Sequence, residues 1–192
     1  MALSGLLLGG FLVVHAAGNS FIFQGKEAFN AYAEHLHSLG SLVPLAELAL
    51  LAIFLLHIIT GISLFLDNRR ARGQGYAVSK NAGGSTLGSG SMPYTGILIL
   101  AFLSLHLLNL RFTVHVISVA DTLAQVLSSP FTNLIYLGGI IALALHISHG
   151  FWSLFQSLGL NHPQYDGQIR VGGYLLSTLI IGIFFAIILL FW

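Results

Sequence analysis

The sequence contains no cysteine. That absence excludes disulfides, thiolate zinc sites, cysteine-held iron–sulfur clusters and covalently attached c-type haem on this chain. Charge is almost as scarce. Only 7% of the 192 residues are Asp, Glu, Lys or Arg, where a soluble domain carries about 25%. Neither an ordinary soluble enzyme nor a disordered chain fits that composition. The formal net charge of +1 offers no field of one sign, so nucleic acid is not an expected partner.

What is present is long apolar sequence: 56% of residues are hydrophobic, and the mean hydropathy is +0.88. A helix needs about 20 mostly apolar residues to cross the hydrocarbon core. Five stretches qualify, at about 1–23, 42–66, 93–120, 131–158 and 171–192. They are long and do not alternate, which predicts helices rather than barrel strands. The expected fold class is all-α, an integral membrane bundle of five transmembrane helices forming one domain over 1–192. Basic residues set the orientation. Arg69, Arg70, Arg72 and Lys80 follow the second span and Arg170 follows the fourth, whereas the other side holds Lys26 beside Glu27 and Glu34, and Asp121. This places the Gly- and Ser-rich loop 67–92, flexible by composition, in the cytoplasm together with the N-terminus. The arginine cluster could also dock a partner subunit or anionic headgroups. Residues 1–17 lack an initial Lys or Arg and are read as a span rather than a cleaved signal. The expected location is the cell inner (cytoplasmic) membrane, as a multi-pass protein.

Nine histidines stand against seven basic and six acidic residues. Four of them, His15, His57, His106 and His146, fall in mid-span, one on each of the first four spans. An ionisable side chain at that depth is costly and usually functional. A lone one could equally be satisfied by neighbouring backbone, but four at similar depth on four helices argue for ligands. Counting residues from the helix ends at about 1.5 Å each favours His57 with His146 nearer the inside and His15 with His106 nearer the outside. Gly61 follows His57 at i+4, and Gly150 follows His146 at i+4. Such a glycine leaves room for a flat macrocycle beside the ligand, although small residues also serve helix packing. Two histidines from different helices, with no cysteine or carboxylate at their depth, suit bis-histidine haem iron, which moves electrons rather than activating oxygen. Zinc or copper would call for more ligands at one depth.

The segments VVHAAGNS around His15, LLHIITG around His57, SLHLLNLRF around His106 and LHISHGFW around His146 resemble the di-haem cytochrome b membrane anchors of succinate:quinone oxidoreductases. This class includes succinate dehydrogenases and fumarate reductases. The resemblance spans all five helices and includes the His146, Gly150, Trp152 spacing and the His106-to-Arg111 spacing. It implies two haems b, the proximal one held by His57 and His146 and the distal one by His15 and His106. It also implies an iron–sulfur subunit and a flavoprotein subunit as partners, which carry the dicarboxylate chemistry, and a quinone, typically menaquinone, as substrate. The anchor would thus pass electrons between the iron–sulfur subunit and the quinone. One departure stands out. Where some fumarate reductases of this class carry a proton-conducting glutamate two residues before the fourth-span histidine, this chain has Ala144.

Arg111 is the only Lys or Arg in a predicted span, and a guanidinium there suits a haem propionate; the alternative is snorkelling to the outer interface. Asn109 is a further candidate hydrogen-bonding group. A quinone site needs a donor for a carbonyl oxygen and a group that exchanges protons, for which the candidates are Glu47, Glu34, His37 and His35, with Glu47 foremost. The cluster 34–37 also reads as an ordinary polar loop. His149 competes with His146 as a ligand, His115 lies near the outer end of span three, and His162 reads as a solvated turn residue. The competing functions are a haem-b, quinone-reactive subunit of a hydrogenase or formate dehydrogenase, and a cofactor-free membrane anchor or a transporter. No inverted repeat or broken span, as transporters often show, is evident.

Overall fold

The computed structural model describes residues 1–71, 87–113 and 117–192. Seven α-helices occur among them: α1 (Ala2–Asn19), α2 (Lys26–Ser38), α3 (Leu42–Ala71), α4 (Leu87–Leu110), α5 (Val119–Leu127), α6 (Pro130–Ser157) and α7 (Asp166–Leu190). A short 3-10 turn, Ser20–Gln24, extends α1. No strand occurs among the described residues. Five helices are long and apolar enough to cross a membrane: α1 with its 3-10 extension, α3, α4, α6 and α7. In hydrocarbon only a helix or a closed barrel can satisfy its own backbone, so this content yields the all-α bundle. The loop 67–92 enters the description only at its two ends; Arg72 and Lys80 lie outside the described residues, as does His115.

α6 is the central helix, packed against α4, α7 and α1, while α3 lies at the edge against α1 and α4. Accordingly α3 has no buried residue, and its outward face is a run of Leu and Ile. Its 30 residues rise about 45 Å, so the last turn, with Arg69 and Arg70, extends past a hydrocarbon core of about 30 Å. Contact between α4 and α6 is close at Gly139, where any Cβ would collide with the Phe102 ring. α6 ends where Gly159 takes a left-handed φ of 69°, letting the Leu160 N–H reach back to the Phe155 carbonyl at 2.9 Å, as in a Schellman cap.

Three features depart from the expected spans. The expected loop 67–92 is helical at both described ends, since α3 runs on to Ala71 and α4 already begins at Leu87. The third apolar stretch, expected over 93–120, divides: α4 stops at Leu110 and α5 begins separately at Val119. Ser118 caps α5, accepting from the Asp121 N–H at 3.1 Å and donating to Asp121 Oδ2 at 2.7 Å. A capped helix start there is incompatible with one continuous span. The polar segment after span one is also not a loop, since Glu34, His35 and His37 lie on α2. α2 and α5 pack together across one end of the bundle. The Lys26 ammonium donates to Asp121 at 2.6 Å, and the Ala120 N–H donates to Asn30 Oδ1 at 3.0 Å. Ile22, Phe29, Ala120, Leu123 and Leu127 bury a shared core with Tyr136, Ile140, Ile187 and Ile188 beneath.

Candidate functional site: two histidine pairs in the bundle

The four mid-span histidines meet in two pairs. His57 of α3 faces His146 of α6 with ring centroids 6.3 Å apart, and His15 of α1 faces His106 of α4 at 6.0 Å. Two metal–nitrogen bonds of about 2 Å end to end, plus the reach from each ring nitrogen to its ring centre, put two imidazoles on one ion at roughly this separation. Among the described residues no group of three or more His, Cys, Asp and Glu side chains gathers as a metal site, so these pairs are the assemblies of potential ligands that the bundle builds. The two levels are well separated. Ser4 touches the first pair and His15 belongs to the second; both are on α1, and their offset of eleven positions rises about 16 Å.

The surroundings of the pairs differ. At the first, the Ser4 hydroxyl lies 3.2 Å from His57 Nδ1 and the Thr95 hydroxyl 3.0 Å from His146 Nδ1. Gly5 and Gly96 lie beside those rings, where a Cβ on either would make ordinary van der Waals contact with the Cε1 of His57 or His146. At the second pair, His15 packs between Phe11 and Phe184, and His106 against Phe102 and Tyr136. His106 Nδ1 is buried without a hydrogen-bond partner, a cost native folds rarely bear without a reason. Asn19 donates to the His15 carbonyl at 2.8 Å and approaches the ring nitrogens only at 3.4 and 3.5 Å. The residues fit a bis-imidazole group: two rings face each other at each level and carry no competing carboxylate. A Cβ added at Gly150 would meet nothing within 4 Å, whereas one at Gly61 would meet the end of the Met1 side chain.

The remaining candidates lie elsewhere. Arg111, just past the end of α4, is paired with Glu47 of α3 through two hydrogen bonds, Nε to Oε1 at 2.7 Å and Nη2 to Oε2 at 3.0 Å. Both side chains are about half-exposed, and His37 lies within electrostatic reach of Glu47. Glu34 is exposed on α2. Asn109 faces the Tyr136 phenol. His149 does not join His57; it packs over Gly88 and beside Trp152. His162 is exposed, its Nδ1 accepting from the Gln164 N–H at 3.2 Å.

One cluster escaped the sequence reading. Trp152 Nε1 donates to Asp166 at 2.6 Å, Arg170 Nε donates to the other carboxylate oxygen at 2.8 Å, and the guanidinium lies 4.0 Å above the Trp152 ring. These three residues tie α6 to the start of α7. The i,i+4 spacing of Asp166 and Arg170 is a signal for their ion pair, but nothing in the sequence ties it to Trp152. Ser4 and Thr95 were missed as well. A hydroxyl in an apolar helix is ordinarily read as bonding its own backbone.

Asp121 at the α2–α5 cap has its carboxyl held below the usual range. The hydrogen bond from Lys26 is the main cause, followed by the one from Ser118.

Comparison with known proteins gives one relationship of note. A Bacillus subtilis (strain 168) protein named succinate dehydrogenase cytochrome b558 subunit is 28% identical over 155 residues, which covers 80% of this chain and 74% of that protein. No family model matches the chain. No solved structure matches it either. The chain is thus similar over most of its length to a succinate dehydrogenase cytochrome b subunit, and it carries five helices long and apolar enough to cross a membrane.

Proposed function

We propose that this chain is the di-haem membrane anchor of a succinate:quinone oxidoreductase, carrying electrons between an iron–sulfur partner subunit and a quinone. The observation that carries the reading is the pair of opposed imidazoles repeated at two levels of one bundle, at 6.3 and 6.0 Å. His57 and His146 would hold one haem b, and His15 and His106 the other. Iron held by two imidazoles supplies one-electron exchange with no open coordination position. The chain's own part is to keep the imidazoles facing and to exclude water with the Phe11, Phe102, Phe184 and Tyr136 rings around the second pair.

Quinone chemistry belongs at the other end of the bundle from Arg69, Arg70 and Arg170. There Glu47 can exchange a proton, with Arg111 holding its carboxylate and His37 nearby; Glu34 is a more distant member of the same end. Arg111 keeps further N–H groups beyond the two that Glu47 engages, and these suit a propionate of the second haem. Under the positive-inside rule the Arg69, Arg70 and Arg170 end faces the cytoplasm of a cell inner membrane. The N-terminus then lies on that side, and the iron–sulfur and flavoprotein subunits dock there. Menaquinone is the quinone that the resemblance to the di-haem anchors implies. Ala144 occupies the place of a proton-conducting glutamate, and its carbonyl accepts from Ser177 at 3.1 Å. Proton movement through α6 is therefore not provided at that position, and turnover is expected to respond to membrane potential, at about 2.3 kcal/mol per charge per 100 mV.

The test is a dithionite-reduced minus oxidised spectrum with a haem count on the complex purified through this chain. Two b-type haems per chain, partly reducible by succinate, are expected. One haem would make one pair structural; none would overturn the reading.

A further inference from the structure

Ser4 and Thr95 are 5% and 4% exposed, among the few buried polar side chains of the bundle. They come from different helices, α1 and α4, yet each hydroxyl meets the Nδ1 of one member of the same histidine pair. Their protons are already placed. Ser4 donates to the Met1 carbonyl at 2.8 Å, and Thr95 donates to the Ser91 and Met92 carbonyls, each at 3.1 Å. A hydroxyl has one proton and two lone pairs. With the proton turned to backbone, each oxygen can only accept from the imidazole. In that arrangement Nδ1 carries the hydrogen in both rings, with the Met1 backbone as a second hydrogen-bond partner of His57, and the Nε2 lone pairs are left for a ligand between them. A partner on one ring nitrogen is the usual device for fixing which nitrogen binds metal and how the ring is turned.

The second pair lacks this arrangement. His106 Nδ1 has no partner, and what approaches the His15 ring is the amide N–H side of Asn19, a donor rather than an acceptor. We infer that Ser4 and Thr95 are positioning residues for the His57/His146 centre alone, fixing its tautomers and raising the basicity of its two imidazoles. This inference rests on the di-haem reading. A more basic ligand favours the oxidised, more highly charged iron, so losing the acceptor raises the midpoint potential of that one centre. A tenfold change in the redox equilibrium corresponds to about 59 mV for one electron.

The test is a redox titration of both haems in the purified complex carrying Thr95→Val, Thr95→Ser or Ser4→Ala, with the haem count as a second readout. Thr60→Val is the control. Its hydroxyl bonds the Leu56 and His57 carbonyls at 2.7 and 3.1 Å but touches no ring. Thr95→Val and Ser4→Ala are expected to raise the component that a His146 variant abolishes and to leave the other in place. Thr95→Ser keeps the oxygen and restores the wild-type value; Thr60→Val moves nothing. Should Thr95→Val fail to assemble, Thr95→Ala takes its place as the deciding variant, because the Met1 backbone stays beside His57 in Ser4→Ala. Two haems with unchanged potentials in the Val and Ala variants would overturn the inference while leaving the di-haem reading intact, and so would an equal shift from Thr60→Val. A wild-type complex without haem would instead overturn the underlying reading, and this inference with it.

Discussion

Arg111 and Glu47, which the sequence presents as candidates for two different ligands, grip each other by two hydrogen bonds across the ends of α4 and α3, at 2.7 and 3.0 Å. Both are about half-exposed, and an exposed ion pair contributes about 0–1 kcal/mol to stability. Glu47→Gln should therefore leave folding and haem content unchanged. If Glu47 exchanges protons with the quinone, the same change should lower quinone turnover about 100-fold, within the range of a general acid–base group. Succinate oxidation with a water-soluble dye as electron acceptor should be kept. Equal loss in both assays would place Glu47 outside the quinone chemistry.

The five long helices were legible because a helix in hydrocarbon must be apolar on nearly every side, and hydropathy records that directly. α5 was not, because Val119–Leu127 continues an apolar run that hydropathy merges with α4. The overlooked signal was Ser118 followed three residues on by Asp121, a helix-start pattern. Of the site, the four mid-span histidines stood out because charge-capable residues are so rare in the spans. Their neighbours did not. Ser4 and Thr95 look in sequence like Thr60 and Ser104, whose hydroxyls bond only their own helix backbone. Only the crossing of α1 over α3 and of α4 over α6 turns the first two towards a ring. The Arg111–Glu47 pair likewise joins residues 64 apart in sequence, a distance that no local pattern spans.

Pairwise loss tests the histidine assignment. His146→Leu removes one of two facing imidazoles and should take the haem count from two to one, with the remaining signal unchanged in potential. His15→Leu should remove the other signal instead. A chain in which either change abolished both signals would have its haems coupled through folding, and one in which neither changed the spectrum would use its histidines structurally.

The α2–α5 cap should loosen in acid. The Asp121 carboxyl is lowered by Lys26 first and Ser118 second, so the folded state favours its charged form. The stabilisation is fully present above the ordinary carboxylate pKa and is lost as pH falls through the lowered folded value. The pair is exposed, so salt should weaken it too. Amide exchange across 119–127 is expected to quicken at low pH and in high salt, and Asp121→Asn should remove most of both dependences. Exchange that stayed equally acid-sensitive in Asp121→Asn would assign the effect to another group.

The Gly139–Phe102 contact links the packing of α4 on α6 to the second histidine pair. A Cβ at Gly139 would run into the Phe102 ring, and that ring lies 5.6 Å from His106 and 5.2 Å from Tyr136. Gly139→Ala must push Phe102 aside, and overpacking of this kind costs about 1–3 kcal/mol. The ring that must move is itself in contact with His106. The variant should thus lower thermal stability in detergent and perturb the spectrum of one haem, the one that a His15 variant removes. Adding Phe102→Leu, which vacates the space, should restore most of the lost stability. If the double variant were no more stable than Gly139→Ala alone, the clash would not be the cause, and the α4–α6 approach would have to be limited by another contact.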